Sequence, residues 1–370
     1  MKRQIAFPLA LASSMLLMTG CPSDVAVTTD PLPTSPPPTE TAATPLGGLS
    51  LTHAQMPPNS WTVGAPMAHA RGGLSAGVVD GRIFALGGDS EASLEIYHPA
   101  QDTWRLDYLP DFIGDASLRP LRTRQFGAAV ASQGRIVYVG GTYNSIVNFM
   151  DVYNPVTNRW LDVATPFLAT GAFGRMNLAV TELDGEIVVL GGLVYTNAPE
   201  TAPVADVVSF TFETQTGLEE LNEKAPLPVP RAGLAAAVLD HQLYVVGGFS
   251  ASPNGPDPEA LGSMIRYQLN DWSDKTLAGA PLPPLNQPRH SFGSAVLDGK
   301  WIVAGGVDSD GNVLDSVEEY DPGTNTWTLK APMPSARAHV ALAALNGRLF
   351  ALGGFDTQRR ALRSVDVFRP

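Results

Sequence analysis

One cysteine in 370 residues, Cys21, excludes any intramolecular disulfide. Charged side chains make up only 16% of the chain, with acids in excess for a formal net charge of -12. No basic patch of usable size is present, so nucleic acid is not an expected partner, and the acid excess is read as an aid to solubility. The apolar stretch from Ile5 to Met18 is too short to span a bilayer comfortably. Nucleophile elbow, phosphate loop and zinc-protease signature are all missing. Histidines are few; His69, His290 and His339 lie within two residues of Arg71, Arg289 and Arg337. A metal site needs two or three of them to converge, so structural or surface roles are expected, with no metal and no cofactor. Asp308, Asp310 and Asn312 alternate like a calcium loop, but Gly311 is misplaced for an EF-hand and no glutamate closes the series.

What is present is a repeat. Six times an apolar strand runs into a glycine pair: Gly87-Gly88, Gly140-Gly141, Gly191-Gly192, Gly247-Gly248, Gly305-Gly306 and Gly353-Gly354. Self-similarity at roughly fifty residues marks a radial repeat architecture. Within each period the order is constant: an arginine, a small-residue strand, a tight turn, an apolar strand, Gly-Gly, a variable loop, an aromatic and then a tryptophan. Asp80-Gly81, Asp184-Gly185, Asp298-Gly299 and Asn346-Gly347 are two-residue hairpin turns, with Gln133-Gly134 and Asp240-His241 as looser versions. Strands such as Leu243-Tyr244-Val245-Val246 are apolar at successive positions, so both faces are expected to be covered.

This order resembles the kelch repeat, from about Met56 to the C-terminus. In the fifth unit Arg289 is followed by Ser294-Ala295-Val296-Leu297, Asp298-Gly299, Trp301-Ile302-Val303-Ala304, Gly305-Gly306, Tyr320-Asp321-Pro322 and Trp327. The resemblance implies an all-β, six-bladed propeller over residues 56–370. Trp104, Trp160, Trp272 and Trp327 each follow a tyrosine, whereas the chain stops after Phe368-Arg369-Pro370 without its tryptophan. Asn59-Ser60-Trp61-Thr62-Val63-Gly64-Ala65-Pro66-Met67 reads like Asn325 to Met333, so the N-terminal strand is expected to complete the last blade. A buried tryptophan covers about 150–250 Å², at most about 4–6 kcal/mol at ~25 cal/mol per Å². The third unit departs: Phe210 replaces the tyrosine and no tryptophan follows near Gly217-Leu218, which predicts the least well packed blade.

Two segments precede the propeller. Lys2 and Arg3 ahead of the Ile5–Met18 run form a signal peptide over residues 1–20, and Met18-Thr19-Gly20-Cys21 resembles a bacterial lipobox. The resemblance implies lipidation at Cys21 and anchoring in the cell envelope, in the outer membrane on its periplasmic side or at the cell surface. An ordinary signal peptide with an incidental cysteine is the alternative. Residues 21–55, rich in Pro and Thr, read as a disordered tether.

Strand order puts the arginines, the loops after Gly-Gly and the long segments Arg105 to Arg122, Leu193 to Ala205 and Phe249 to Gly262 on one face, where recognition usually sits. Arg71, Arg124, Arg175, Arg231, Arg289 and Arg337 are candidate ligand-binding residues, their guanidinium forks suited to a carboxylate, a sulfate or an acidic side chain. Structural pairing inside the blades is the other reading of the same six residues. Kelch adaptors that grip acidic peptides with arginines at similar places support the first. Function is therefore expected to be non-catalytic binding of a protein or glycan. The alternatives are an envelope enzyme resembling the six-bladed sialic acid epimerases, or a structural surface lipoprotein. The enzyme needs a carboxylate such as Asp111, Glu200 or Asp257 within reach of two arginines in a closed pocket. The copper oxidases among kelch proteins use a cysteine-modified tyrosine, which a chain with only Cys21 cannot build.

Overall fold

The computed structural model describes residues 56–88, 93–107, 124–143, 145–147, 150–161, 174–197, 200–213, 217–251, 259–268 and 270–370. The signal peptide, Cys21 and the tether lie outside these residues, as do Asp111, Asp257 and most of the first long loop. The described residues fold into six antiparallel blades, five of four strands and one of five, with two further two-stranded sheets and no helix. Blade 1 comprises Ser75–Val79, Arg82–Leu86, Leu94–His98 and Thr103–Asp107. Blade 2 comprises Ala128–Ser132, Arg135–Val139, Met150–Asn154 and Arg159–Leu161. Blade 3 runs through Ala179–Leu183, Glu186–Leu190, Val207–Glu213 and Gly217–Lys224. Blade 4 runs through Ala232–Leu239, Gln242–Ser250, Met264–Gln268 and Asp271–Ser273, with the short strand Glu259–Ala260 added beside Gln242–Ser250. Blade 5 is Gly293–Leu297, Lys300–Ala304, Val317–Asp321 and Thr326–Lys330. Blade 6 takes Ala341–Leu345, Arg348–Leu352 and Val365–Arg369 from the C-terminus and Ser60–Val63 from the N-terminus.

That last strand closes the circle. Ser60–Val63 pairs antiparallel with Val365–Arg369, placing Trp61 opposite Phe368. Their ring centroids are 5.0 Å apart, and the Trp61 indole N–H donates to the Ala331 carbonyl at 2.8 Å. Trp104, Trp272 and Trp327 make the same bond to Ala65, Ala225 and Pro283, in the segments that enter their blades. Each such tryptophan thus fastens a blade to the connection that precedes it.

Sheet formation follows from local chemistry. All six inner hairpins turn through two residues of positive φ, for example Asp80 (49°) with Gly81 (68°) and Asp240 (48°) with His241 (60°), matching the twist of the strands. The second strand of each blade is buried on both sides, which explains its unbroken apolar run. The core is divided into six wedges, one in each joint between successive blades. Met67, Leu227, Leu282 and Met333 from the interblade connections plug these wedges.

Blade 3 replaces its missing tryptophan in a way that the sequence concealed. Strand register sets Leu221 opposite Phe210, where other blades set tryptophan opposite tyrosine or phenylalanine. An irregularity between Thr211 and Phe212 lengthens this hairpin and moves the equivalent position away from Gly217-Leu218. Phe210 is fully buried and Leu221 packs against the same wedge.

Candidate functional site

The arginines and glycine pairs form one device, repeated in all six blades. Nη1 of Arg71, Arg124, Arg175, Arg231, Arg289 and Arg337 donates to the carbonyl of the first glycine of its own repeat, at 2.9–3.3 Å. The second glycine's N–H then donates to the backbone carbonyl of the next blade's arginine. The series runs Gly88 to Arg124, Gly141 to Arg175, Gly192 to Arg231, Gly248 to Arg289, Gly306 to Arg337 and, closing the ring, Gly354 to Arg71, at 2.7–2.9 Å. Glycine is required here: Gly87 has φ 67°, and a Cβ on it would stand 2.5 Å from the Arg124 carbonyl oxygen.

Two residues past each arginine a second ring closes around the channel. Gly73, Phe126, Asn177, Gly233, Ser291 and His339 are joined head to tail by backbone N–H···O=C bonds of 2.6–3.3 Å. All six have positive φ, between 50° and 71°. Beneath this belt the inner strands enclose a channel of about 170 Å³ lined largely by Gly, Ala, Ser and Leu. Among the described residues that line it, none is a carboxylate or a guanidinium.

The six arginines are between 0 and 6% exposed. Five are paired with a carboxylate of their own blade's third strand or the residue before it: Arg71 with Glu95, Arg124 with Asp151, Arg175 with Asp206, Arg289 with Glu318 and Arg337 with Asp366. Glu318 also accepts from the backbone N–H groups of Asn286 and Gln287, tying down the segment ahead of Arg289. Burial lowers the Arg289 and Arg337 pKa values, with the adjacent carboxylates opposing it, and burial raises that of Asp366 against the pull of Arg337. The geometry gives each guanidinium a structural task, and ligand contact by these side chains has no exposed surface to use.

Blades 3 and 4 break the pattern. Register aligns Val208 and Ile265 with Glu95, Asp151, Glu318 and Asp366. Arg175 is left with Asp206 at 3.5 Å, a carboxylate that is 63% exposed. Among the described residues Arg231 bonds only the Gly247 carbonyl and the Ser263 carbonyl and hydroxyl, and its Nε has no partner; burial pushes its pKa down to about 10.

The face that these rings support carries rings of another kind. Phe126 stacks edge-on against His339 at 4.8 Å and lies 6.4 Å from Phe355, while Phe249 meets His290 at 4.9 Å. Phe126, His339 and Phe355 are half-buried. Phe355 occupies the space over Gly72, where a Cβ would collide with its ring at 2.2 Å. Burial pushes the His339 imidazole down to about 3, helped by nearby His290, and His290 itself to about 4 against the pull of Asp308. Both are neutral near pH 7. The Nδ1 of His69 is 3.1 Å from the Ser93 hydroxyl in blade 1, away from this pair.

Several sequence expectations find their place here. The arginines do share a face with the post-Gly-Gly loops, as the two rings of bonds require. Asp308 directs its carboxylate into its own hairpin, accepting from the N–H groups of Asp310 and Asn312 and the Asn312 amide, so the calcium-like spacing is a turn device. Glu200 is exposed in the hairpin Leu193–Asn197/Glu200–Pro203, where its carbonyl accepts from the Thr196 hydroxyl. Phe126, Phe355 and every belt position except His339 went unnoticed in the sequence. Their signal is positional: the second residue after each arginine and the residue after each Gly-Gly.

A model of the KLHDC2/KLHL20/DRC7 Kelch-repeats domain matches residues 174–354, and a Kelch motif model matches residues 70–106. Kelch-like protein 40 of Xenopus tropicalis is 27% identical over 252 residues, 65% of this chain and 37% of that protein. Kelch-like protein 23 of Homo sapiens is 25% identical over 298 residues, covering 78% and 47%. Beta-scruin of Limulus polyphemus is 28% identical over 279 residues, covering 70% and 27%. The matched stretch therefore spans less than half the length of these relatives. The solved structure of YjhT superposes with a TM-score of 0.62 at 13% identity, over 81% of this chain and 95% of that one, a likeness of fold. With six arginine, Gly-Gly and aromatic units arranged as six blades, this chain belongs to the kelch-repeat family.

Proposed function

We propose that the protein is a binding module of the cell envelope that holds a segment of a partner protein on the face carrying the arginines and the post-Gly-Gly loops. The observation that carries this reading is the half-buried cluster of Phe126, His339 and Phe355 at the channel mouth. Rings already packed and partly exposed offer contact area with little ordering left to impose. The belt that carries them is a closed ring of backbone hydrogen bonds, and the opposite face has tight turns such as that around Gly323. Membership of the kelch family supports a protein as the partner. The buried arginines act from behind, fixing the glycine carbonyls and hence the loops.

Placement in the envelope rests on Lys2, Arg3, the apolar run to Met18 and Cys21 as a lipidated N-terminus on a tether. Fatty-acid labelling of the wild type that disappears in Cys21→Ser, with the variant moving to the soluble fraction, is the expected result; unchanged membrane association would defeat it. For the binding face, a photo-crosslinking residue at Gln125 is expected to trap a partner that one at Thr324, in an outer turn of the opposite face, does not. Equal trapping from both positions would defeat the assignment.

A further inference from the structure

The face of tight turns, on the far side of the propeller from the buried arginines, is charged unevenly. After each inner hairpin the second strand begins with one equivalent residue, which is Arg82, Arg135, Glu186, Gln242, Lys300 and Arg348 in blades 1 to 6. The turn residue two places earlier is Asp80, Gln133, Asp184, Asp240, Asp298 or Asn346. Blades 6, 1 and 2, consecutive around the circle, thus hold three arginines and one acid, Asp80, at these positions, whereas blades 3 to 5 hold Lys300 against Asp184, Glu186, Asp240 and Asp298. Ion pairing divides the same way. Lys300 meets Glu319 and Asp321, Lys224 meets Glu186, and His241 meets Asp184. Among the described residues Arg82, Arg135 and Arg348 meet no carboxylate. Arg82 lies over the Phe84 ring at 5.4 Å, and Arg135 donates only to the Gly134 carbonyl at 3.4 Å, its Nε unpartnered. Arg348 and Arg369 flank the cross-strand pair of Leu349 and Phe368, and burial and the Arg369 charge both lower the Arg348 pKa.

The outer edge of this arc extends it. Arg159 of blade 2 is exposed, stands opposite Asn154 and makes no side-chain hydrogen bond or ion pair among the described residues. The Asn154 side-chain oxygen accepts from the N–H groups of Val156 and Thr157. The turn so fixed presents Val156, which at 77% is the most exposed large apolar residue among the described ones. The chain also enters the propeller here. Ser60 pairs with Arg369, so the residues ahead of Pro57, Cys21 among them, join the propeller on the turn face of blade 6.

We infer that the turn face of blades 6, 1 and 2 is a docking surface for an anionic lipid bilayer, where Arg82, Arg135, Arg159 and Arg348 take lipid phosphates and Val156 enters the headgroup layer. Guanidinium forks suit phosphate oxygens, and cations are drawn to an anionic bilayer within a Debye length of its surface. A chain of net charge -12 is repelled as a whole, so the segregated arc decides which face meets the membrane. The inference goes beyond the partner-binding reading and takes its membrane from the envelope placement. An acyl anchor joined at this same face makes the contact intramolecular, and a weak attraction then suffices. Docked in this way, the protein turns its loops and aromatic cluster outward.

The test is vesicle flotation of the full chain carrying Cys21→Ser, which has no thiol to acylate, with vesicles of phosphatidylcholine alone or mixed with phosphatidylglycerol. The mixed vesicles are expected to bind more tightly, and Arg82→Ser, Arg135→Ser and Arg348→Ser each to weaken that binding about fivefold. Arg159→Ser, at an exposed position where folding is not at stake, is expected to do the same. Arg359→Ser with Arg363→Ser removes two exposed arginines from the opposite face and is expected to change nothing. All these proteins share one N-terminal segment, so their differences report the arc alone. Equal binding to both vesicles, or to neither, overturns the inference. So does full binding by Arg159→Ser, or a loss in the Arg359, Arg363 pair as large as in Arg82→Ser with Arg348→Ser. Release of the protein by free inorganic phosphate at unchanged ionic strength overturns the bilayer as the source of the phosphate. None of these results bears on lipidation, which fatty-acid labelling at Cys21 decides separately.

Discussion

Blades 5 and 6 hold themselves together with every lock the fold possesses, whereas blades 3 and 4 each lack part of the set. In blade 5, Arg289 meets Glu318, Tyr320 packs on Trp327 at 5.3 Å, and the Trp327 indole grips the Pro283 carbonyl. Blade 6 repeats this with Arg337 and Asp366, and with Phe368 and Trp61. Blade 4 keeps its tryptophan but puts Ile265 where the carboxylate belongs, and blade 3 has Val208 and Leu221 in place of carboxylate and tryptophan. All four blades nonetheless keep the bonds from arginine to glycine carbonyl and from Gly-Gly to the next blade. The lesson is that the two backbone rings are the common requirement, while carboxylate and tryptophan are reinforcements. Blade 1 carries the same set, with Arg71 and Glu95, Tyr97 and Trp104, and the Trp104 bond to Ala65, so the complete set is found in both neighbours of the blade that is closed by a strand from the far end of the chain as well as in that blade. There separation costs no covalent bond, so side chains must hold what connectivity does not.

The comparison is broken most severely at the seam. Removing the chain through Val63 takes away the outer strand of blade 6, and loss of cooperative unfolding in circular dichroism and calorimetry is the expected outcome. Trp61→Ala alone is expected to cost about 3–5 kcal/mol in urea denaturation, and more than Leu221→Ala in blade 3. A cost for Leu221→Ala equal to or above that of Trp61→Ala would show that the seam has no special need.

Next in size is the carboxylate. Glu318→Ala strands the buried Arg289 cation and releases the N–H groups of Asn286 and Gln287, so a loss of about 3–5 kcal/mol is expected. Blade 4 provides the reverse experiment. Installing the acid as Ile265→Glu and crossing it with Arg231→Ala in a double-mutant cycle is expected to give a favourable coupling of about 2 kcal/mol. A coupling near zero would mean that the aligned register does not bring the new carboxylate to Arg231.

The smallest effect is in pH. His290 and His339 are held neutral when folded, near 4 and 3, while unfolded histidine protonates near 6.5. Below about pH 6.5 the unfolded chain therefore binds protons that the folded chain refuses. Stability contributed by the neutral imidazoles is complete above that pH and is lost as the pH falls toward the folded values. Each histidine contributes a slope of at most about 1.4 kcal/mol per pH unit in that window. Denaturation of His290→Gln with His339→Asn, followed from pH 7 to 4.5, is expected to show a shallower decline than wild type. Parallel declines would place the acid sensitivity elsewhere.

Which parts of this were legible beforehand follows the range of the interaction. The hairpins at Asp80-Gly81 and Asn346-Gly347, the buried second strands and the match of Trp61 to Trp327 are local or repeated signals, and each led to the right element. The task of the arginines was half legible: every one lies sixteen residues before the glycine whose carbonyl it holds, while its distance to the third-strand acid varies. The constant interval points to the scaffold. Leu221 stayed hidden because an irregularity in strand pairing shifted its register, and pairing is not written in either strand alone.

The sequence by itself determined six blades, their closure by the N-terminal strand and the face on which the arginines and loops gather. Turn chemistry, apolar runs and repetition act over a few residues and are fixed by the side chains present. Only the tertiary structure decided that the six guanidiniums are consumed inside the blades and that Phe126, His339 and Phe355 meet at the channel mouth. Those outcomes depend on which residues of different blades converge at the axis, and that convergence exists only once the circle is closed.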